Sequence, residues 1–362
     1  MTAYATALTD WLACATRGAR EPAARAAAAA ADGVCGRVAA AATAGHVLDF
    51  DDTFAPGLAH LSAPTAPAAL GLAAARGASL GDALTAYERG FEAMGALAAA
   101  SHPALYDGGW HPTAVCGAVG AAMAAGELLG LEERGRDSAA ALALTQAGGL
   151  RAGFGSHGKA LQVGMAAGAG VQCALLAAEG ARMALDSHLG PAGFEATFGG
   201  AVPAQAEASA IESNWLKPWP CCLQTHSAIE ASLGQEPRPG IEVRVHPLSV
   251  QAAPIEVPQD GLQAKFSIPY MVAWALLRGE PEVESFARVD PEVSGFEVSV
   301  VQDASLLPSE ARVGEVAVEW AKGSPERPLS PEELATKVEA LGGSALPGPE
   351  TPAADVVAAA GL

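Results

Sequence analysis

The chain has 362 residues, 50% hydrophobic and 17% charged, a composition that buries a large core and has room for two domains. Forty acidic residues against 21 basic ones give a formal net charge of -19. That surplus repels phosphate backbones and anionic lipid, which sets nucleic acid and membrane surfaces aside as partners.

Met1 to Asp10 hold no basic stretch and no long apolar run. Neither a signal peptide nor an anchor is expected there, and a cytoplasmic location follows. From residue 1 to about 210 the sequence is a succession of Ala-rich segments of helical period broken by Gly, and this half is predicted to be all-helical. One alanine run closes with Ala44-Gly-His46-Val-Leu-Asp49-Phe-Asp51-Asp52-Thr53. If the helix continues, spacings of three and four put His46, Asp49 and Thr53 on one face. Three acids at a helix C-terminus oppose the macrodipole, so something else must hold them.

His60 follows in Leu58-Ala-His60-Leu-Ser-Ala-Pro64, and His111 in Gly108-Gly-Trp110-His111-Pro112-Thr113, a loop ahead of an apolar helix. Both are candidate bases, because burial and nearby acids tune an imidazole across the neutral range. The stretches Ala114 to Leu131 and Val163 to Gly180 are apolar, yet rich in Ala and Gly and at the lower length limit for crossing a bilayer. They are predicted to be buried helices in tight contact.

Lys159 is the only Lys or Arg between Arg151 and Arg182, and Lys217 the only one between Arg182 and Arg238. A lysine at a helix N-terminus works against the dipole, whereas a bound anion is welcomed by the free N–H groups and the ammonium together. Each lysine is therefore a candidate clamp for a carboxylate. Gly153-Phe-Gly-Ser-His-Gly158-Lys159 fits the opening of a phosphate-binding loop, but Ala160 stands where that motif needs a hydroxyl and the preceding segment reads as helix. Nucleotide binding is not expected. The six cysteines, at 14, 35, 116, 173, 221 and 222, show no metal-like spacing and are expected to be reduced.

After Pro218, Ile241 to Val245, Phe296 to Val300 and Val313 to Val318 alternate apolar with polar residues and are predicted to be strands, with a helix after Pro269 between the first two. The tail returns to helix at Ser330-Pro331-Glu332-Glu333, an N-cap serine with Pro at the first position. That helix is expected to pack back on the first domain. The resulting fold class is mainly α, with a smaller α+β domain following the helical one.

Gly45 to Thr53, Gly109 to Val115, Gly158 to Gly164, Lys217 to Cys222 with Thr225 and His226, Ala264 to Tyr270 and Lys322 to Ser330 together resemble the MmgE/PrpD family, in the family's order and over most of the chain. The resemblance implies a helical domain from both chain ends, residues 1–214 and 325–362, with an inserted α+β lid, residues 215–324. It also implies a homodimer and a lyase that dehydrates or decarboxylates small di- or tricarboxylates without cofactor, metal or iron-sulfur cluster. Carried over by position, His111, His60, Asp49 and Lys159 are the candidate catalytic residues, with His111 as base or acid at the reacting carbon. Thr53, Lys217, Gln162, Cys222 and His226 are the candidate substrate-binding ones. Relatives tend to carry His where Gln162 stands, and the decarboxylase branch has His where Cys222 stands. These departures leave two alternatives open: an isomerase, epimerase or cyclase of the same fold, and an inactive binding subunit.

Overall fold

The computed structural model describes residues 2–201 and 209–362. Its first half is a stack of helices: α1 (Ala3–Gly18), α2 (Gly33–His46), α3 (Ser62–Arg76), α4 (Leu80–Ser101), α5 (Pro112–Leu128), α6 (Glu133–Gln146) and α7 (Gly158–Ala178). α5 is central and touches α3, α4, α6 and α7, while α7 also lies along α2. Alanine and glycine set these distances, since interaxial spacing follows the side chains at the contact. A Cβ on Gly164 of α7 would run into Ala39 O and Thr43 Oγ1 of α2, and one on Gly90 of α4 into Gly120 O of α5. Trp11, Tyr87, Phe91 and Met94 fill the space between. α7 is the one described helix long and apolar enough to cross a membrane, and 61% of its most apolar window is buried inside the fold.

The all-helical reading of this half needs one correction. β1 (Thr53–Phe54) pairs antiparallel with β2 (Asn214–Trp215), Thr53 opposite Trp215. Two residues paired with a distant segment leave no local alternation to read.

Beyond β2 lie α8 (His226–Ser232), β3 (Ile241–Val245), α9 (Ile268–Arg278), β4 (Val298–Gln302), β5 (Ala311–Val313) and β6 (Val316–Val318). The sheet order is β4-β3-β5-β6, with β3 and β4 parallel and the other pairs antiparallel. Val243, Val245, Ala311 and Val313 face inward, while Glu242 and Arg244 are exposed on the other side. α8 and α9 cover the apolar face. The strand expected over Val313 to Val318 is instead a hairpin, because Gly314 takes φ 56° and turns the chain. β4 starts two residues later than expected.

The tail supplies α10 (Pro331–Ala340) and α11 (Ala353–Ala359). Ser330 and Glu333 form the capping box that starts α10. Lys337 of α10 sits 2.6 Å from Asp10 of α1, and Ala353 and Val356 of α11 join the same apolar core as α3. Both ends of the chain therefore meet in one helical body. The chain is mainly α with a small α+β part.

Candidate functional site

α2 ends at His46, so the expected single helical face through Thr53 does not form. Asp49 takes φ 53°, a left-handed conformation rare outside glycine, and its N–H is bonded to the His46 carbonyl at 3.1 Å. The turn swings three successive carbonyls outward, and each meets a different buried lysine. Lys265 Nζ donates to Leu48 O at 2.5 Å, Lys217 Nζ to Asp49 O at 2.7 Å and Lys337 Nζ to Phe50 O at 2.8 Å. Cations at the end of α2 complement its dipole, and the acids become tolerable there.

The carboxylate of Asp49 is the hub. Its Oδ1 lies 2.6 Å from Lys217 Nζ, 3.5 Å from Lys159 Nζ and 3.7 Å from His60 Nε2. Burial pushes its pKa up, but the two ammoniums outweigh burial and hold it well below the usual carboxylate range. Asp51 is likewise held low against its burial, chiefly by His46.

A chain of hydrogen bonds runs behind this hub. His46 Nδ1 is 2.9 Å from Asp51 Oδ2, and His46 Nε2 is 2.9 Å from Lys159 Nζ. An ionised carboxylate only accepts, so the His46 proton is on Nδ1, leaving Nε2 to accept from Lys159. Burial lowers the Lys159 pKa, an effect only partly offset by Asp49. His60 places Nδ1 3.2 Å from Asp51 Oδ2, out of line for a hydrogen bond, and burial pulls its pKa down to about 3. Burial keeps His46 and His111 neutral as well.

His111 occupies the N-cap position of α5, without a side-chain capping bond, and is 1% exposed. Its ring stacks near His46, with centroids 5.9 Å apart, and meets Phe154 edge-on at 4.9 Å. Gln162 Nε2 is 2.6 Å from His111 Nδ1. Phe154 and Phe266 stand 5.6 Å apart, and Lys159 Nζ is 5.7 and 5.8 Å from their centroids. Outside this aromatic pair is a surface cavity lined by Gly108, Arg151, Gln251 and Ile255. Among the described residues, Thr53 Oγ1 is buried without a hydrogen-bond partner, as is Asp49 Oδ2.

Asp49, His60, Lys159, Lys217, His46 and Asp51 thus share one cluster, with His111 and Gln162 beside it. Lys217 differs from the expected carboxylate clamp, because its three protons already go to Asp49 O, Asp49 Oδ1 and Cys221 O. An ammonium has no fourth donor. Lys217 is therefore fully committed to Asp49 and the Cys221 carbonyl. His226 lies a layer further out, its Nε2 3.3 Å from the same Cys221 carbonyl and its ring against Trp219. Cys222 contacts Ala252 O through Sγ at 3.9 Å, and burial raises its thiol to about 11.

His46, Asp51 and His60 offer ligand atoms within 4.8 Å of one another, the right donor types for a divalent cation. Lys159 and Lys217 already supply positive charge to Asp49 directly and to Asp51 at longer range. A dication would add two uncompensated charges to this buried site.

Residues 1–206 match the MmgE/PrpD N-terminal domain and residues 219–294 the MmgE/PrpD C-terminal domain. The chain belongs to the MmgE/PrpD family. It is 30% identical over 264 residues to a cis-aconitate decarboxylase of Homo sapiens, covering 67% of this chain and 55% of that one. The corresponding protein of Mus musculus is 30% identical over 271 residues, covering 67% and 54%. The chain spans about half the length of the curated relatives it matches. Within this MmgE/PrpD chain, Asp49 to Lys159 come from the N-terminal match, Lys265 from the C-terminal one and Lys337 from beyond both. Sequence reasoning missed Lys265 and Lys337. A usable signal existed for Lys265, the only Lys or Arg between Arg244 and Arg278.

Proposed function

We propose that this MmgE/PrpD protein is a lyase on a small di- or tricarboxylic acid, working by proton transfer at a carbon next to a carboxylate and without a metal. The observation that carries the reading is Lys159, a buried ammonium shared between Asp49 and the His46–Asp51 pair. Charge that develops on a substrate carboxylate when an α proton leaves, or when carbon dioxide departs, is stabilised by a preorganised cation in a dry site. Lys159 also has a proton route. It can pass a proton to His46 Nε2, where the imidazolium is paired with Asp51, and become a neutral base; the reverse transfer makes it an acid. His60 serves the other side of Asp49, and Thr53 offers its unpartnered hydroxyl to substrate. Phe154 and Phe266 line the surface cavity and stand over Lys159, so substrate enters by parting this aromatic pair. The family membership and the named activity of the two relatives support the reaction class.

Purified protein incubated with methylcitrate, citrate, cis-aconitate and simpler β-hydroxy acids should give enoate absorbance or released carbon dioxide on at least one of them. No turnover on any would overturn the lyase reading. Lys159→Ala should lower the rate by about 10²-fold or more, as loss of a charge stabiliser and proton carrier requires. Activity should survive exhaustive chelation, and a loss restored by added divalent metal would assign His46, Asp51 and His60 as ligands instead.

A further inference from the structure

Gln162 is held from three directions. Its Oε1 accepts from the Leu150 N–H at 2.9 Å, while its Nε2 donates to the Leu150 carbonyl at 3.1 Å and lies 2.6 Å from His111 Nδ1. The backbone of Leu150 offers one donor and one acceptor, so it fixes which end of the amide is oxygen and which is nitrogen. Both N–H bonds of Gln162 are then used, one of them on His111. A nitrogen that accepts from an amide carries no proton, so the single proton of a neutral His111 sits on Nε2. The loop that carries Leu150 is itself tied to the His111 loop, with His111 N donating to Gly149 O and Arg151 N to Gly109 O, each at 3.0 Å.

We propose that Gln162 is a positioning residue that locks His111 as a neutral Nε2–H hydrogen-bond donor, so that His111 stabilises charge on the substrate and is not the base. A base at Nε2 needs its lone pair free, and this tautomer has spent that position on a proton. A neutral imidazole is also a poor proton source, because Gln162 cannot hand Nδ1 a replacement proton. What remains is electrophilic: an N–H aimed at an oxygen whose negative charge grows, as a preorganised oxyanion donor does. Proton transfer then belongs to Lys159 and His60.

The kinetic part of this proposal rests on the lyase reading, and the spectroscopic part does not. In ¹⁵N-histidine-labelled protein at neutral pH, the His111 ring, assigned by difference from His111→Gln, should show an unprotonated Nδ1 and a protonated Nε2. Gln162→Leu should move it to a mixture of tautomers while the other histidines keep their shifts. A protonated Nδ1 in the wild type, or an unchanged His111 spectrum in Gln162→Leu, would overturn the proposal whatever the substrate. With a turned-over acid in hand, His111→Ala should lose about 10²- to 10³-fold in kcat, and His111→Gln, which keeps an N–H donor but no base, should recover at least tenfold of that. Equal losses in the two would make His111 a proton carrier and sink the donor role. Gln162→Leu should slow the wild type about tenfold and the His111→Gln variant hardly at all, since its effect passes through the imidazole; equal effects in both backgrounds would count against positioning.

Discussion

Asp49 shows how one residue gathers a site. Its left-handed backbone is held because the carbonyl and the carboxylate of the same residue bind the same ammonium. Removing that ammonium in Lys217→Met leaves a buried, partly unpaired carboxylate, and stability should fall by about 3–5 kcal/mol in denaturant titration. Adding Asp49→Asn to that variant should return part of the loss, a coupling that a double-mutant cycle measures. The imidazoles set the response to acid. Burial lowers His60 and His226 from 6.5 to about 3, so the native state resists a proton that the unfolded chain accepts. Their contribution to stability is therefore present above pH 6.5 and is lost as pH falls from there toward 3. Asp52 has the opposite sign: burial raises it from 3.8 to about 7, so its contribution is present below pH 3.8 and is lost as pH rises through 7. Unfolding midpoints should thus begin to fall just below pH 6.5, and a midpoint flat from pH 7 to 4 would contradict these assignments.

Among the elements, the seam between α2 and α7 matters most, because it carries Lys159 to His46. Gly164 leaves no space there for a side chain. Gly164→Val should push α7 outward, cost about 1–3 kcal/mol as overpacking does, and lengthen the contact between Lys159 and His46. Activity should fall more than the small stability loss explains, which parallel melting and rate measurements would show. The helices of the first half were legible because their period and Ala-Gly composition are local. The end of α2 was not, since nothing in Val47 to Asp52 announces a left-handed residue that distant lysines stabilise. The hairpin at Gly314 was open to a reader who took that glycine as a turn.

At the scale of the molecule, the cations were more readable than the acids. Lys159 and Lys217 each stand alone among cations over a long stretch, and Lys265 meets the same criterion. Lys337 sits among the acids of an ordinary amphipathic helix, and its burial against Asp10 and Phe50 follows only from the packing of the chain's two ends. Lys337→Met should leave Asp10 buried without its partner, cost about 3–5 kcal/mol in thermal or denaturant unfolding, and loosen the loop at Phe50. A variant that lost stability but kept full activity would show that the tail supports the fold without shaping the site.

The three lysine-held carbonyls also set an order of events during synthesis and refolding. Leu48, Asp49 and Phe50 find their partners 217, 168 and 287 residues away along the chain. Contacts of such high sequence separation form slowly, because a long stretch must close before any of them is rewarded. The turn that shapes the cluster therefore cannot be secured on the ribosome until residue 337 has been made. In a refolding experiment helical signal should return first, and catalytic competence last of all.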